Sequence, residues 1–325
     1  MNHPISKILI VGAGWTGRQI ALQCAAHQAE TYLADASEDT LSSAMGWIDK
    51  HVGSIASEAN WEPESVKNYR KHLHRFHWNG TDQQETQEIS TTLTKPSFDM
   101  VLECVSEQAS IKRRVLKQLS DRFSKETILC SNSSYFTPSM LLKYVDEPAR
   151  YAHFHFHAPI HLSTVVDVAC SSFTRDDVAL RLCEFARKIG QHPIRQDKEN
   201  SGYIYNWLLK SLISSSLELA DREIASPADI DLAWKKITQM PVGPFGIMDT
   251  IGLDLVHQVL SNARWVGDSQ AIQRLVDFLE PYVDAGNLGV KTGKGFFSYD
   301  SKGGPTPVPA MEDSGSENSS KTEEI

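Results

Sequence analysis

The chain has 325 residues, enough for two domains that each bury a core, and its 41 acidic against 32 basic side chains leave a formal net charge of −9. That balance excludes a broad nucleic-acid-binding face, so an anionic ligand has to be met by a local cationic patch. Five scattered cysteines without a CxxC pair exclude a disulfide or zinc framework; the amino end goes directly into the first strand-like run after Met1-Asn2-His3-Pro4, leaving no room for a signal peptide's apolar stretch, and no run of about 18 apolar residues offers a membrane span, so no membrane partner and a cytoplasmic location are expected.

The first apolar run, 8–11, has no polar interruption, the pattern of a strand covered on both faces. It meets Gly12-Ala13-Gly14-Trp15-Thr16-Gly17, then a helical pattern with Ile20, Ala21 and Cys24, and the next strand-like run, 31–34, ends on Asp35. A glycine-rich turn from strand to helix, with an acid about twenty residues on, is the dinucleotide-binding fingerprint. Gly12 permits the tight turn, Gly14 lets the backbone approach a pyrophosphate, and Gly17 lets the helix pack closely on the strand. The helix opens at Trp15 and Thr16, where free N–H groups would face the phosphates. Asp35 is suited to accept from ribose hydroxyls and to repel a 2′-phosphate, so the expected cofactor is NAD rather than NADP.

Residues 41–77 read as a helical excursion outside the sheet, longer than a crossover requires and rich in cations, among them Lys67, Arg70, Lys71 and Arg75. A solvated helix face and a patch that meets a substrate phosphate both fit these residues. Strand-like runs at 100–104 and 127–130, alternating with helical stretches, complete a doubly wound, mostly parallel sheet. Further strands are expected at 151–156, 164–169 and 192–195, with a helix at 175–189. From Gly202 the periodicity turns helical, at 203–219, 227–236, 254–265 and 271–283, with Pro227 behind Ser226 in N-cap order. The expected architecture is an α/β Rossmann domain over 1–200, an all-α C-terminal domain over 201–300, and a disordered acidic tail over 301–325.

Oxidising an alcohol against a nicotinamide needs a general base at the hydroxyl, a group that orients the base, and donors for the developing carbonyl oxygen. His155 with Asp167 is the best pair. An imidazole titrates near neutral pH, and a carboxylate on its other nitrogen fixes the tautomer and steadies the imidazolium. They lie in consecutive strand-like runs that antiparallel pairing would bring together. In His153-Phe154-His155-Phe156-His157 the alternation turns the three histidines to one face. Two other readings remain: histidines two apart could bind zinc with Asp167, although the chain lacks a closed ligand set and no metal is expected, or they could be ordinary polar-face residues. Ser134 follows the carboxyl end of the 127–130 strand, where open α/β sheets bind ligands, but a turn serine fits as well. Asn206 is a polar amide in an apolar helical stretch that needs a partner.

Taken together, the motifs resemble the L-3-hydroxyacyl-CoA dehydrogenase family up to about Asp300. They are the Gly12–Gly17 turn, Leu102-Glu103-Cys104-Val105-Ser106-Glu107, Ser131-Asn132-Ser133-Ser134, His155-Phe156-His157-Ala158-Pro159, Pro241-Val242-Gly243-Pro244-Phe245 with Asp249, and Lys291-Thr292-Gly293-Lys294-Gly295-Phe296. The resemblance implies NAD-dependent oxidation of an L-3-hydroxyacyl-CoA to the 3-oxoacyl-CoA in fatty acid metabolism, by a homodimer formed through the helical domain. It matches His155 to the catalytic histidine, oriented by Asp167, and Ser134 and Asn206 to residues that hold the substrate oxygen. Glu103, Lys112 and Asn132 match positions at the cofactor, and Lys67, Arg70 and Lys71 fall where the family places coenzyme A. This chain departs from the family in having Asp167 for a glutamate, shorter by roughly 1.5 Å, Ala158 for an asparagine, His157 for another aromatic, and Ser201 and Trp207 for a proline and an arginine. Gly17-Arg18 is similar to gulonate-type relatives. A dehydrogenase of a free hydroxy acid, gulonate- or carnitine-type, and a catalytically impaired NAD-binding homologue are therefore the alternatives.

Overall fold

Eight strands form one sheet in the order β3-β2-β1-β4-β5-β6-β7-β8 in a computed structural model that describes residues 3–78, 97–262 and 269–300. The strands are β1 (Lys7–Val11), β2 (Glu30–Asp35), β3 (Leu73–His77), β4 (Met100–Glu103), β5 (Ile128–Ser131), β6 (Tyr151–Phe156), β7 (Val165–Cys170) and β8 (His192–Gln196). Neighbours pair in parallel except β6 with β7, which run antiparallel. The chain moves outward from β1 to β3 on one side and from β4 to β8 on the other, so β1 and β4 mark the switch point where such sheets open a crevice at their carboxyl ends.

The apolar content of β1 is used on both faces. Ile8 and Ile10 enter one core, with α1 (Trp15–Ala26), α2 (Glu38–Glu58) and α6 (Asp176–Lys188). Leu9 and Val11 enter the other, with α4 (Ala109–Arg122) and the single turn α5 (Pro138–Leu141). Residues 41–77 correct the expectation of a helical excursion. They supply most of α2 and all of α3 (Pro63–His72), but then return to the sheet as β3, parallel to β2 from Thr31↔Leu73 to Asp35↔His77. The alternation Leu73, Arg75, His77 against His74, Phe76 is too polar and too basic to announce a strand, and pairing with β2 overrides that weak local signal.

The chain divides into two compact units, Met1–Tyr205 and Asn206–Ile325. The second is helical: α7 (Tyr205–Asp221, whose first residue belongs to the first unit), α8 (Pro227–Thr238), α9 (Pro244–Ile251), α10 (Leu253–Asn262) and α11 (Ser269–Asp284). Two of its aspartates hold turns and helix ends in place. Asp231 accepts from the N–H groups of Phe245 and Gly246 at the start of α9, and the buried Asp249 accepts from Phe296 N, Phe297 N and the Tyr299 hydroxyl, fastening the 289–299 segment onto α9. The expected end of the 254–265 helix and the 301–325 tail lie outside the described residues.

Candidate active site

The glycine turn sits at the switch point. Gly12 has φ +113°, and a Cβ there would stand 2.6 Å from the carbonyl oxygen of Cys104, just past β4; a Cβ on Gly17 would strike the Gly12 carbonyl at 1.9 Å. Only glycine meets both demands. Gly14 differs, because a Cβ there would meet nothing within 4 Å. It opens α1 without a side-chain cap, leaving the helix amino end, with Trp15 exposed and Thr16 half-buried, facing open space. This is the cradle that a pyrophosphate needs. Asp35 ends β2 and ties itself to the turn: Oδ2 accepts from Ala13 N at 2.8 Å and Oδ1 from Ser37 N at 2.9 Å, leaving lone pairs for a ribose.

On the far side of the switch point, Lys112 of α4 is fully buried. Its ammonium donates to both oxygens of Glu103 at 2.9 and 3.2 Å and to Val105 O at 3.3 Å, and it pairs with Glu107 at 3.0 Å. Burial works against the charge, but the two carboxylates outweigh it and raise the lysine above its ordinary value. Glu103 is 0% exposed and also accepts from Val105 N and Ser131 Oγ. Of the positions matched to the cofactor, Glu103 and Lys112 are thus spent on protein partners. The neighbour that keeps an open face is Glu107, which the sequence reading did not select; it accepts from Ser133 Oγ and from Tyr135 N at 3.0 Å. Asn132 accepts from Phe156 N at 2.9 Å, clamping the end of β6 to the loop after β5.

In the β6–β7 ladder His155 lies directly opposite Asp167. His155 Nδ1–H donates to Asp167 Oδ2 at 3.2 Å, so Nε2 carries the lone pair, and Ser134 Oγ–H donates to it at 3.0 Å. Asp167 also accepts from His157 Nε2–H at 2.8 Å. The shorter aspartate therefore reaches His155 without a bridging water and holds a second imidazole. Tyr203, which the sequence reading missed, stacks on the His155 ring at 4.5 Å and 14°. Its hydroxyl donates to Ser133 O at 2.6 Å and so accepts from His153 Nδ1–H at 3.0 Å, leaving His153 Nε2 to accept from Tyr151. Burial pushes His155 below its ordinary value, partly opposed by its bond to Asp167, and pushes His153 well below. Burial also pushes Asp167 up, but the hydrogen bonds from the two histidines outweigh it and hold the carboxyl below its ordinary value. At neutral pH this is a neutral imidazole with a bare, hydroxyl-facing nitrogen and an ionised acid behind it.

His155, His157 and Asp167 also bring three ligand atoms within 4.8 Å of one another. The remaining selected residues lie on helices. On α3, Lys67 lies 4.0 Å from Glu64, Arg70 is paired with Asp49 of α2, and Lys71 donates to Asn68 at 2.7 Å; all three are exposed. Asn206 is half-buried on the first turn of α7 and belongs to the second unit.

A phosphate-receiving turn at a sheet switch point, followed by a helical unit, defines a dinucleotide-dependent class of enzyme. The sequence pattern of the 3-hydroxyacyl-CoA dehydrogenase NAD-binding domain matches residues 7–200, and that of the family's C-terminal domain matches residues 202–299. The chain belongs to the 3-hydroxyacyl-CoA dehydrogenase family. It is an oxidoreductase, and its cofactor is NAD. It is 26% identical to the mitochondrial hydroxyacyl-coenzyme A dehydrogenase of Homo sapiens over 302 residues, 91% of each chain. It is 28% identical to a probable 3-hydroxybutyryl-CoA dehydrogenase of Deinococcus radiodurans over 302 residues, covering 90% of this chain and all of that one. Among solved structures, a diketoreductase described as acting on dicarbonyl compounds superposes with TM-score 0.79 at 28% identity, covering 91% of this chain and 100% of the other. No helix among the described residues is long and apolar enough to cross a membrane.

Proposed function

We infer that the protein interconverts an L-3-hydroxyacyl-CoA and its 3-oxoacyl-CoA, with His155 as the general base. The observation that carries this reading is the His155 imidazole, held by buried Asp167 on one nitrogen and facing Ser134 with the other. Bound NAD supplies the hydride acceptor. Nε2 takes the proton of the C3 hydroxyl, and the imidazolium that forms is steadied by the Asp167 carboxylate 3.2 Å from Nδ1. Ser134 donates to the oxygen that becomes the carbonyl. Gly12, Gly14, Trp15, Thr16 and Gly17 receive the cofactor phosphates and Asp35 its ribose, while Glu103, Lys112 and Asn132 fix the floor beneath the nicotinamide. Lys67, Arg70 and Lys71 offer exposed cations to the coenzyme A phosphates in an otherwise acidic protein.

The helical unit carries exposed apolar side chains, including Ile224, Leu232, Ile237 at 82% exposure, Leu255 and Val259, which supports a homodimer formed through it. Its mass by light scattering tests that. The five free cysteines fit a reducing cytoplasm, checked by cell fractionation, and the acyl-CoA reading fits a role in fatty acid metabolism.

NADH consumption with acetoacetyl-CoA tests the main reading. A second reading, reduction of a small free oxo compound, is favoured by the likeness to the diketoreductase. It predicts turnover of acetoacetate or a diketone in preference to acetoacetyl-CoA. Saturable NADH binding with no turnover of either would leave only nucleotide capture.

A further inference from the structure

Arg18 lies one turn into α1, and nothing in the reaction described above uses it. Its guanidinium carbon is 4.8 Å from the ring centre of Trp15 and 4.3 Å from that of Trp47 on α2. The two indoles meet edge to face at 5.6 Å and 66°. Trp47 is backed in turn by His51, stacked at 4.7 Å and 22°, and His51 Nδ1–H is tied to the Trp47 carbonyl at 2.8 Å. The cation is therefore held in one place by aromatic faces, which fixes the plane of its donor fork.

What it lacks among the described residues is an anion. Arg70, Arg75, Arg150, Arg175 and Arg195 each meet a carboxylate. Arg18 meets none among the described residues, and its Nε is shut off from water without a hydrogen-bond partner. In a chain with net charge −9, an arginine that is clamped, partly desolvated and unpaired is a receptor waiting for a ligand charge. It stands beside the open Gly14 cradle, and Trp15 keeps 56% of its surface exposed, enough to stack a heteroaromatic ring.

We propose that Trp15, Arg18 and Trp47 form a nucleotide-phosphate clamp, in which the Arg18 fork takes phosphate oxygens and the Trp15 indole takes the purine. The chemistry is that of an adenine nucleotide phosphate, which either the dinucleotide or coenzyme A can bring; only the coenzyme A source rests on the acyl-CoA reading above. Calorimetric titration of the full chain with NADH, coenzyme A and 3′-dephospho-coenzyme A tests it without requiring turnover. A chain that shows the clamp effect but does not reduce acetoacetyl-CoA would defeat that reading and keep this one.

Arg18→Met, which keeps the apolar stem and removes the fork, is expected to weaken one ligand about ten-fold or more. Trp47→Leu, which frees the cation, should weaken the same ligand by less. A fall confined to NADH assigns the clamp to the dinucleotide. A fall for coenzyme A with loss of its advantage over the dephospho form assigns it to the 3′-phosphate, and a fall for both coenzyme A forms assigns it to their pyrophosphate. Affinities for all three ligands within two-fold of the unsubstituted protein would overturn the clamp and leave Arg18 as a cover for aromatic surface. Should the Met variant not fold, Arg18→Lys is read instead; it retains charge but cannot bridge two oxygens, and unchanged binding there overturns the proposal equally.

Discussion

Asp167→Asn separates the charge of this residue from its shape. Asp167 is 1% exposed and accepts from His155 at 3.2 Å and from His157 at 2.8 Å. An asparagine fits the same space, and its amide oxygen can take the two imidazole N–H groups that now meet Oδ2, but it carries no charge and cannot neutralise the imidazolium that forms as the hydroxyl loses its proton. A hydrogen bond to a charged group is worth about 1.5–3 kcal/mol. At about 1.36 kcal/mol per factor of ten, kcat should fall about 10- to 150-fold while NADH affinity holds. The pH profile gives a second reading. Burial already lowers His155 from its ordinary 6.5, the like charge of His157 pushes the same way, and Asp167 and Glu107 pull it back up. With the carboxylate gone the imidazole loses protons more readily, so the acid limb of the oxidation profile moves to lower pH and the reduction rate at neutral pH drops. Initial rates with acetoacetyl-CoA and with the corresponding 3-hydroxyacyl-CoA, measured across pH on protein of verified thermal stability, supply both. A rate within two-fold of the parent and an unmoved limb would remove Asp167 from the mechanism.

His155→Ala should abolish turnover and leave NADH affinity nearly unchanged, as read by rates and by calorimetry; retained activity would take His155 out of the reaction. Lengthening the acid by Asp167→Glu would raise the rate if the native pair were merely too short. Direct contact with both histidines in a buried site predicts a slower enzyme instead, and a faster one would refute that geometry. His27, His153 and His155 are all lowered by burial, so the unfolded chain takes up protons that the folded chain refuses: stability is complete above about pH 6.5 and is lost as pH falls toward the folded values, at most about 1.4 kcal/mol per pH unit for each. His153→Gln should flatten the fall in melting temperature between pH 7 and 5, and an unaltered slope would count against it. Lys112→Met leaves Glu103 buried without its cation and should cost about 3–5 kcal/mol in denaturant unfolding; a loss below about 1 kcal/mol would mean that the pair is not desolvated as described.

The parts of this molecule that were legible in the sequence are those where local chemistry and fold agree. The Gly12–Gly17 turn is readable because backbone geometry admits no other residue at Gly12 and Gly17, and the histidine alternation is readable because a strand has a period of two. The residues that escaped depend on tertiary placement. The alternation put His157 on the face of His155, but that it shares the Asp167 carboxylate with His155 was not readable. Tyr203 sits at φ +55°, an unfavourable backbone for tyrosine that no propensity would suggest, yet its ring packs on His155 and its hydroxyl joins His153 to Ser133. Glu107 was overshadowed by Glu103, four residues earlier in the same motif. Burial distinguishes them, since Glu103 is sealed and Glu107 has an open face.

The two outer strands of the sheet are poor templates for another chain. Among the described residues β3 closes one edge with Leu-His-Arg-Phe-His, its Arg75 exposed and drawn to Glu38, and β8 closes the other with Pro193, which has no N–H to give, and an exposed Arg195. Bulk, charge and a missing donor make strand-to-strand accretion costly there, which guards the sheet against fibril growth while the protein is concentrated or newly made.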